Sequence, residues 1–147
     1  MATARDIPAV RILPMSGQIE GFRGRSIEDV QSRLFLQDLP RCKGRWRYAR
    51  AGLNASAGTI VLFQFRSRII ASAVFLRDEK FERPIRGHAG AIYFDPQSIR
   101  TFDPLDAATI RKVWPAFRAF GHVKQYLNPT RYPQLKRRLK KINSPIK

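Results

Sequence analysis

Gly58-Thr59-Ile60-Val61-Leu62-Phe63-Gln64-Phe65, then Arg66-Ser67, then Arg68-Ile69-Ile70-Ala71-Ser72-Ala73-Val74-Phe75 is the stretch that decides the fold. Two runs rich in β-branched and aromatic residues, separated by two polar residues, read as an antiparallel hairpin. In the first run Ile60 and Leu62 point one way and Val61, Phe63 and Phe65 the other. A strand that is apolar on both faces belongs in the middle of a sheet, covered on both sides. The core is therefore expected here. Just upstream, Gly44-Arg45-Trp46-Arg47-Tyr48 places a basic, aromatic segment at its rim. Arg41, Lys43, Arg45 and Arg47 recur at every second position, so an extended chain puts them on one face and Trp46 and Tyr48 on the other.

Working outward, residues 10–15 read as a short strand, with Pro14 near a sheet edge or a strand end. Residues 16–24 carry Gly17, Gly21 and Gly24 and read as a loop. Ser26 caps a helix whose apolar stripe is Ile27, Val30, Leu34 and Leu39, with Phe35 alongside, and Pro40 stops it. Residues 51–58 form a small-residue loop, and residues 78–90 are polar and turn-rich. Residues 91–94 and 98–102 read as strands around Asp95-Pro96. Asp103 as cap with Pro104 at the first helical position starts a second helix. Its inward face is Ile110, Val113, Trp114 and Phe117; Pro115 interrupts it and Gly121 closes the segment. Residues 125–127 read as a last strand. Asn128-Pro129 then opens a helix with Tyr132, Leu135, Leu139 and Ile142 on one face and Lys136, Arg137, Arg138, Lys140 and Lys141 on the other.

Composition limits the function. A chain of 147 residues, 44% apolar, is expected to form one domain over residues 1–147, with 143–147 as a tail or linker. Its 28 Lys and Arg against 11 acidic residues give a net charge of +17, and no acid follows Asp106. Such a charge seeks polyanions, and nucleic acid is the expected partner. A membrane partner is not expected, because the apolar residues are committed to a core and no run approaches the roughly 18 residues of a span. The single cysteine, Cys42, excludes an intrachain disulfide and a zinc site built on several cysteines. With no apolar leader in the first residues, a cytoplasmic location is expected.

Catalytic patterns are thin. His88 and His122 are flanked by glycines and read as loop or surface residues. Cys42, between Arg41 and Lys43, has no histidine in its segment and reads as an unreactive thiol. Asp78-Glu79-Lys80 matches half of a metal-dependent nuclease signature. The further acid that would complete the ligands is missing, because Asp29 and Asp38 lie on or near a helix, so the triplet reads as a charged turn. No phosphate-cradling glycine loop is present. The expectation is no catalytic residue, no metal and no cofactor. Binding chemistry remains. Trp46 and Tyr48 are candidate base stackers, though a Trp46 that plugs the core fits the pattern equally; Trp114 reads as core.

The order of elements, with Gly58-Thr59-Ile60-Val61-Leu62-Phe63, the return Ile69-Ile70-Ala71-Ser72-Ala73-Val74-Phe75 and the segment Gln125-Tyr126-Leu127-Asn128-Pro129, resembles the PUA superfamily. It is similar in particular to the EVE and ASCH-like branches at the front of modification-dependent restriction endonucleases. Thr59 stands where such domains commonly carry aspartate. The resemblance implies an α+β fold built on a small, curved, mixed β-barrel flanked by helices, with an aromatic pocket that takes one modified base, flipped out of DNA. It implies Trp46 and Tyr48 as pocket aromatics, joined by Phe65 and Tyr126. Lys43, Arg45, Arg47 and the C-terminal Lys136, Arg137 and Lys140 would hold the backbone. The chain would then be a non-catalytic specificity module of a restriction or defence system, working with a nuclease domain or subunit. An RNA-binding protein of the same fold is the alternative; a small nuclease is a more distant one.

Overall fold

A computed structural model describes residues 7–15, 24–50, 52–121 and 124–145. Of the glycine loop expected over 16–24, residues 16–23 lie outside the described residues, as does His122. Among these residues the fold is α+β: seven strands in one mixed sheet, with three helices. The strands are β1 (Val10–Pro14), β2 (Arg45–Tyr48), β3 (Ile60–Phe65), β4 (Arg68–Ile85), β5 (His88–Phe94), β6 (Arg100–Leu105) and β7 (Gln125–Leu127). Helix α1 covers 27–41, α2 is Ala107–Val113 and α3 is Tyr132–Lys136.

The β3–β4 hairpin forms as read, around Arg66 (φ 50) and Ser67 (φ 58). Two successive left-handed residues give the turn whose twist matches the strands. Strand β3 lies between β4 and a parallel β1, and its alternation feeds two cores. Val61, Phe63 and Phe65 pack with Val30, Phe35, Leu39, Ile92 and Phe94 beneath α1. Ile60 and Leu62 pack on the other face with Val10, Ile12, Ile110, Trp114 and Leu135 beneath α2 and α3. Phe35, Phe63, Ile110 and Leu135 are fully buried.

The expected barrel does not close. The sheet order is β2-β5-β4-β3-β1-β7, with β6 pairing β4 off this path. Strand β2 pairs with β5 and β7 with β1, and no ladder joins β2 to β7. The physical reason lies in the strands themselves. Residues apolar on both faces need cover on both sides, and here helices supply it.

Other boundaries move for local reasons. Helix α1 runs past Pro40 to Arg41, and Val30–Asp38 is widened, so that Leu39 N–H donates to Leu34 O. The wider turn brings Val30 and Phe35, five positions apart, onto one buried face. The second helix starts three residues later than read: Asp106, not Asp103, caps α2, accepting from Thr109 N at 2.9 Å. Asp103 stays extended because its N–H donates to Lys140 O. Residues 78–90 are not a turn-rich loop: β4 continues to Ile85 and returns as β5. The last helix ends at Lys136, so the C-terminal cations do not share one helical face. Asn143, read as the start of a tail, exchanges backbone hydrogen bonds of 2.9 Å with Thr101. No helix among the described residues is long and apolar enough to cross a membrane.

Candidate functional site

The turn between α1 and β2 aims the basic, aromatic segment. Gly44 sits at φ +79; its N–H donates to Leu39 O and its carbonyl accepts from Phe94 N–H, both at 2.8 Å. A side chain at this position would run into the Phe94 carbonyl. Only glycine combines that backbone with that approach. The chain leaves Gly44 as β2, paired with β5, which puts Trp46 and Tyr48 on the face beneath α1.

Trp46 is half-buried. Its ring packs on Phe63 at 5.1 Å, Phe35 at 6.2 Å and Phe94 at 6.3 Å between centroids. It also lines an open cleft of about 490 Å³ with Leu34, Asp38, Leu39, Cys42, Arg45 and Arg47. The two readings of Trp46 are thus compatible: one side closes the core and the other borders the cleft. The volume is in the range of small-ligand sites. Asp38 offers a carboxylate acceptor of the kind that pairs with an exocyclic amino group. Arg47 is exposed, and Arg45 stacks 5.9 Å above the Phe81 ring. The Arg45 Nε is buried with no acceptor among the described residues.

Tyr48 borders a different cleft, of about 600 Å³, with Arg50, Leu53, Arg77, Asp78 and Lys80. Its ring is wedged between Gly52 and Gly90, where a side chain at either position would strike it. Its hydroxyl donates to Asp78 Oδ1 at 2.7 Å. This ring is committed to packing, so of the pair Trp46 remains the candidate stacking residue. The same setting pushes the Tyr48 phenol up from 10.0 to about 12, through loss of solvent first and then the bond to and charge of Asp78. Because the folded value is the higher one, Tyr48 contributes stability in full below about pH 10 and loses it as pH rises through about 12. Alkaline titration of tyrosinate absorbance should show a phenol ionising near pH 12 that disappears in Tyr48→Phe. An unchanged titration in that variant would contradict the assignment.

The remaining expected residues scatter. Phe65 is a correction: it is 2% exposed, deep under α1, because its place on β3 faces the core. Tyr126 is 63% exposed, beside Arg11, on β7 at the opposite edge of the sheet from Trp46. Lys43 is exposed in the α1–β2 turn at φ 58. Lys136, Arg137 and Lys140 are exposed on the α3 side, across the sheet from the Trp46 cleft. His88 lies in β5 and not in a loop.

Sequence reasoning missed Asp38, Leu34 and Cys42 as walls of the cleft. They come from the end of α1, and the periodicity of a helix does not say what its exposed side borders. It also missed a charged, aromatic surface on the other face of β2, β5 and β4. There Arg77 stacks 3.9 Å above Tyr93, whose hydroxyl donates to Glu79 at 3.3 Å. Cross-strand register (Arg45 beside Tyr93 beside Arg77) builds that surface. Among the described residues no three His, Cys, Asp or Glu side chains are grouped as metal ligands. Comparisons with protein-family models, curated proteins and solved structures return no match for this chain.

Proposed function

We propose that the chain binds nucleic acid and takes a base, modified and extruded from duplex DNA, at the Trp46 cleft. One observation carries the reading: a half-buried tryptophan borders a cleft of about 490 Å³ that also has Arg45 and Arg47 on its walls, on a chain of net charge +17. An aromatic wall rewards a base with about 1–3 kcal/mol of stacking. Extruding that base costs a few kcal/mol, which the cations must help to offset through the phosphates. The cleft supplies binding, and any strand cleavage would belong to a partner domain or subunit.

The test is a titration of matched duplexes, with and without one modified base, over a salt series. A preference for one modified duplex that vanishes in Trp46→Ala supports the reading. Equal binding of all duplexes, with no effect of Trp46→Ala, would overturn it in favour of charge alone. RNA that outcompetes every duplex would move the reading to an RNA-binding protein. In the same series Arg47→Gln should lower the slope of log K against log salt by about 0.9, one phosphate's share. An unchanged slope would remove Arg47 from the interface.

A further inference from the structure

On the face of the sheet away from Trp46, a chamber of about 330 Å³ opens between β4, β6 and α3. We propose that it is a phosphate-binding site, distinct from the base cleft. Its polar walls come from separate elements: Ser72 on β4, Arg100 on β6, and Tyr132 and Lys136 on α3. Ile60 and Val74 supply apolar wall. Among the described residues no acidic side chain lines it, whereas the Trp46 cleft contains Asp38 and the Tyr48 cleft Asp78. A carboxylate beside a phosphate repels it, so this chamber is the one of the three suited to a dianion.

The donors are organised in advance. Arg100 is half-buried, and its Nη1 donates to Gln97 O at 2.7 Å and Ile99 O at 2.8 Å. Those bonds fix the guanidinium, so little freedom is lost when its other N–H groups meet a ligand. Ser72 is 5% exposed and shares the chamber wall with the Tyr132 phenol, whose O–H is a further donor. Burial raises the Tyr132 pKa, so the phenol remains a donor at neutral pH. Ser98 has no proton left for a ligand: it donates to Asp95 O and accepts from Val74 N–H, both at 2.7 Å, and serves the wall only. Two cations and a phenol on the walls of one space match the several oxygens of a phosphoryl group better than the two of a carboxylate.

Calorimetric titration of the full chain with inorganic phosphate and with phenyl phosphate, at constant ionic strength in chloride, tests this. Saturable binding of one equivalent is expected, weakened about ten-fold by Arg100→Gln, the share of one charge-assisted hydrogen bond. Arg100→Gln also removes two bonds to its own turn, so the exposed Lys136→Gln carries the test independently, with a several-fold loss. Arg138→Gln, an exposed cation outside the chamber, should leave binding unchanged. Non-saturable uptake, or equal losses in Arg138→Gln and Lys136→Gln, would overturn the site. Dinucleotides with and without a 5′-phosphate separate the sources: a preference for the phosphorylated one, lost in Lys136→Gln, assigns a nucleic-acid end. Equal binding of the two, with phenyl phosphate retained, assigns a free phosphoester. Trp46→Ala should leave phosphate binding intact, so failure of the base cleft and failure of this site are read separately.

Discussion

Trp46→Ala is expected to weaken binding of the preferred nucleic acid by about 5- to 150-fold, the equivalent of one lost base–aromatic stack. The loss should fall on the modified duplex and spare the unmodified one, because phosphate contacts are insensitive to the base. The substitution also opens the aromatic cluster of Phe35, Phe63 and Phe94, whose centroids stand 6.2, 5.1 and 6.3 Å from Trp46. A fully buried tryptophan costs about 3–5 kcal/mol when truncated, so a half-buried one should cost roughly 2 kcal/mol. Trp46→Phe separates the two effects. It keeps an aromatic wall and most of the packing, and should retain the preference. Cys42 gives a second readout, since this sole, exposed cysteine lines the same cleft. A bound base should slow its alkylation. If alkylation of Cys42 is indifferent to a ligand that binds tightly, the ligand sits elsewhere.

Gly44→Ala should be among the most destabilising single substitutions in the chain, at about 3 kcal/mol, or roughly 10 °C in Tm for a chain of this size. Two costs combine. Any residue but glycine at φ +79 pays for the left-handed backbone, about 1 kcal/mol. The added methyl group also collides with the Phe94 carbonyl, and the bonds to Leu39 and Phe94 hold Gly44 against retreat. Gly24→Ala is the matched control. It has φ +75, but nothing stands within 4 Å of the new methyl, so only the backbone cost applies. Urea unfolding of the two variants measures the difference. Equal losses would show that the approach to Phe94 is not rigid. The surviving Gly44→Ala protein should also lose the preference for the modified duplex, because the same turn directs Trp46.

What could be read from the residues alone follows a simple physical line. Alternation in β3 named both cores and the central strand, because a side chain in a strand has only two directions to point. Ser26, Asn128 and Pro115 were read correctly as cap, cap and breaker, since such effects act within one turn of backbone. Reading failed wherever a partner distant in sequence decided the outcome. Asp103 and Pro104 looked like a helix start, yet pairing of Asp103 with Lys140 keeps them extended. Residues 78–90 looked like turns because they are polar. They form a ribbon because β4 and β5 satisfy each other's backbone, and Tyr48 needs Gly90 beneath it.

The same division holds for the candidate site. The charge of +17, the basic and aromatic segment at 45–48 and the shortage of catalytic groups are properties of the sequence. They carry the expectation of a polyanionic partner before any fold is known. Tertiary structure decided which residues share a space. It buried Phe65, sent Tyr126 to the far edge, locked Tyr48 onto Asp78 and left Trp46 at an open cleft with Asp38 and Cys42. It also kept the sheet open and gathered Ser72, Arg100, Tyr132 and Lys136 into one chamber. Residue type and spacing fix what a side chain can do and which way it points within its own element. Which other elements meet it depends on long-range pairing and packing, and local sequence does not encode that.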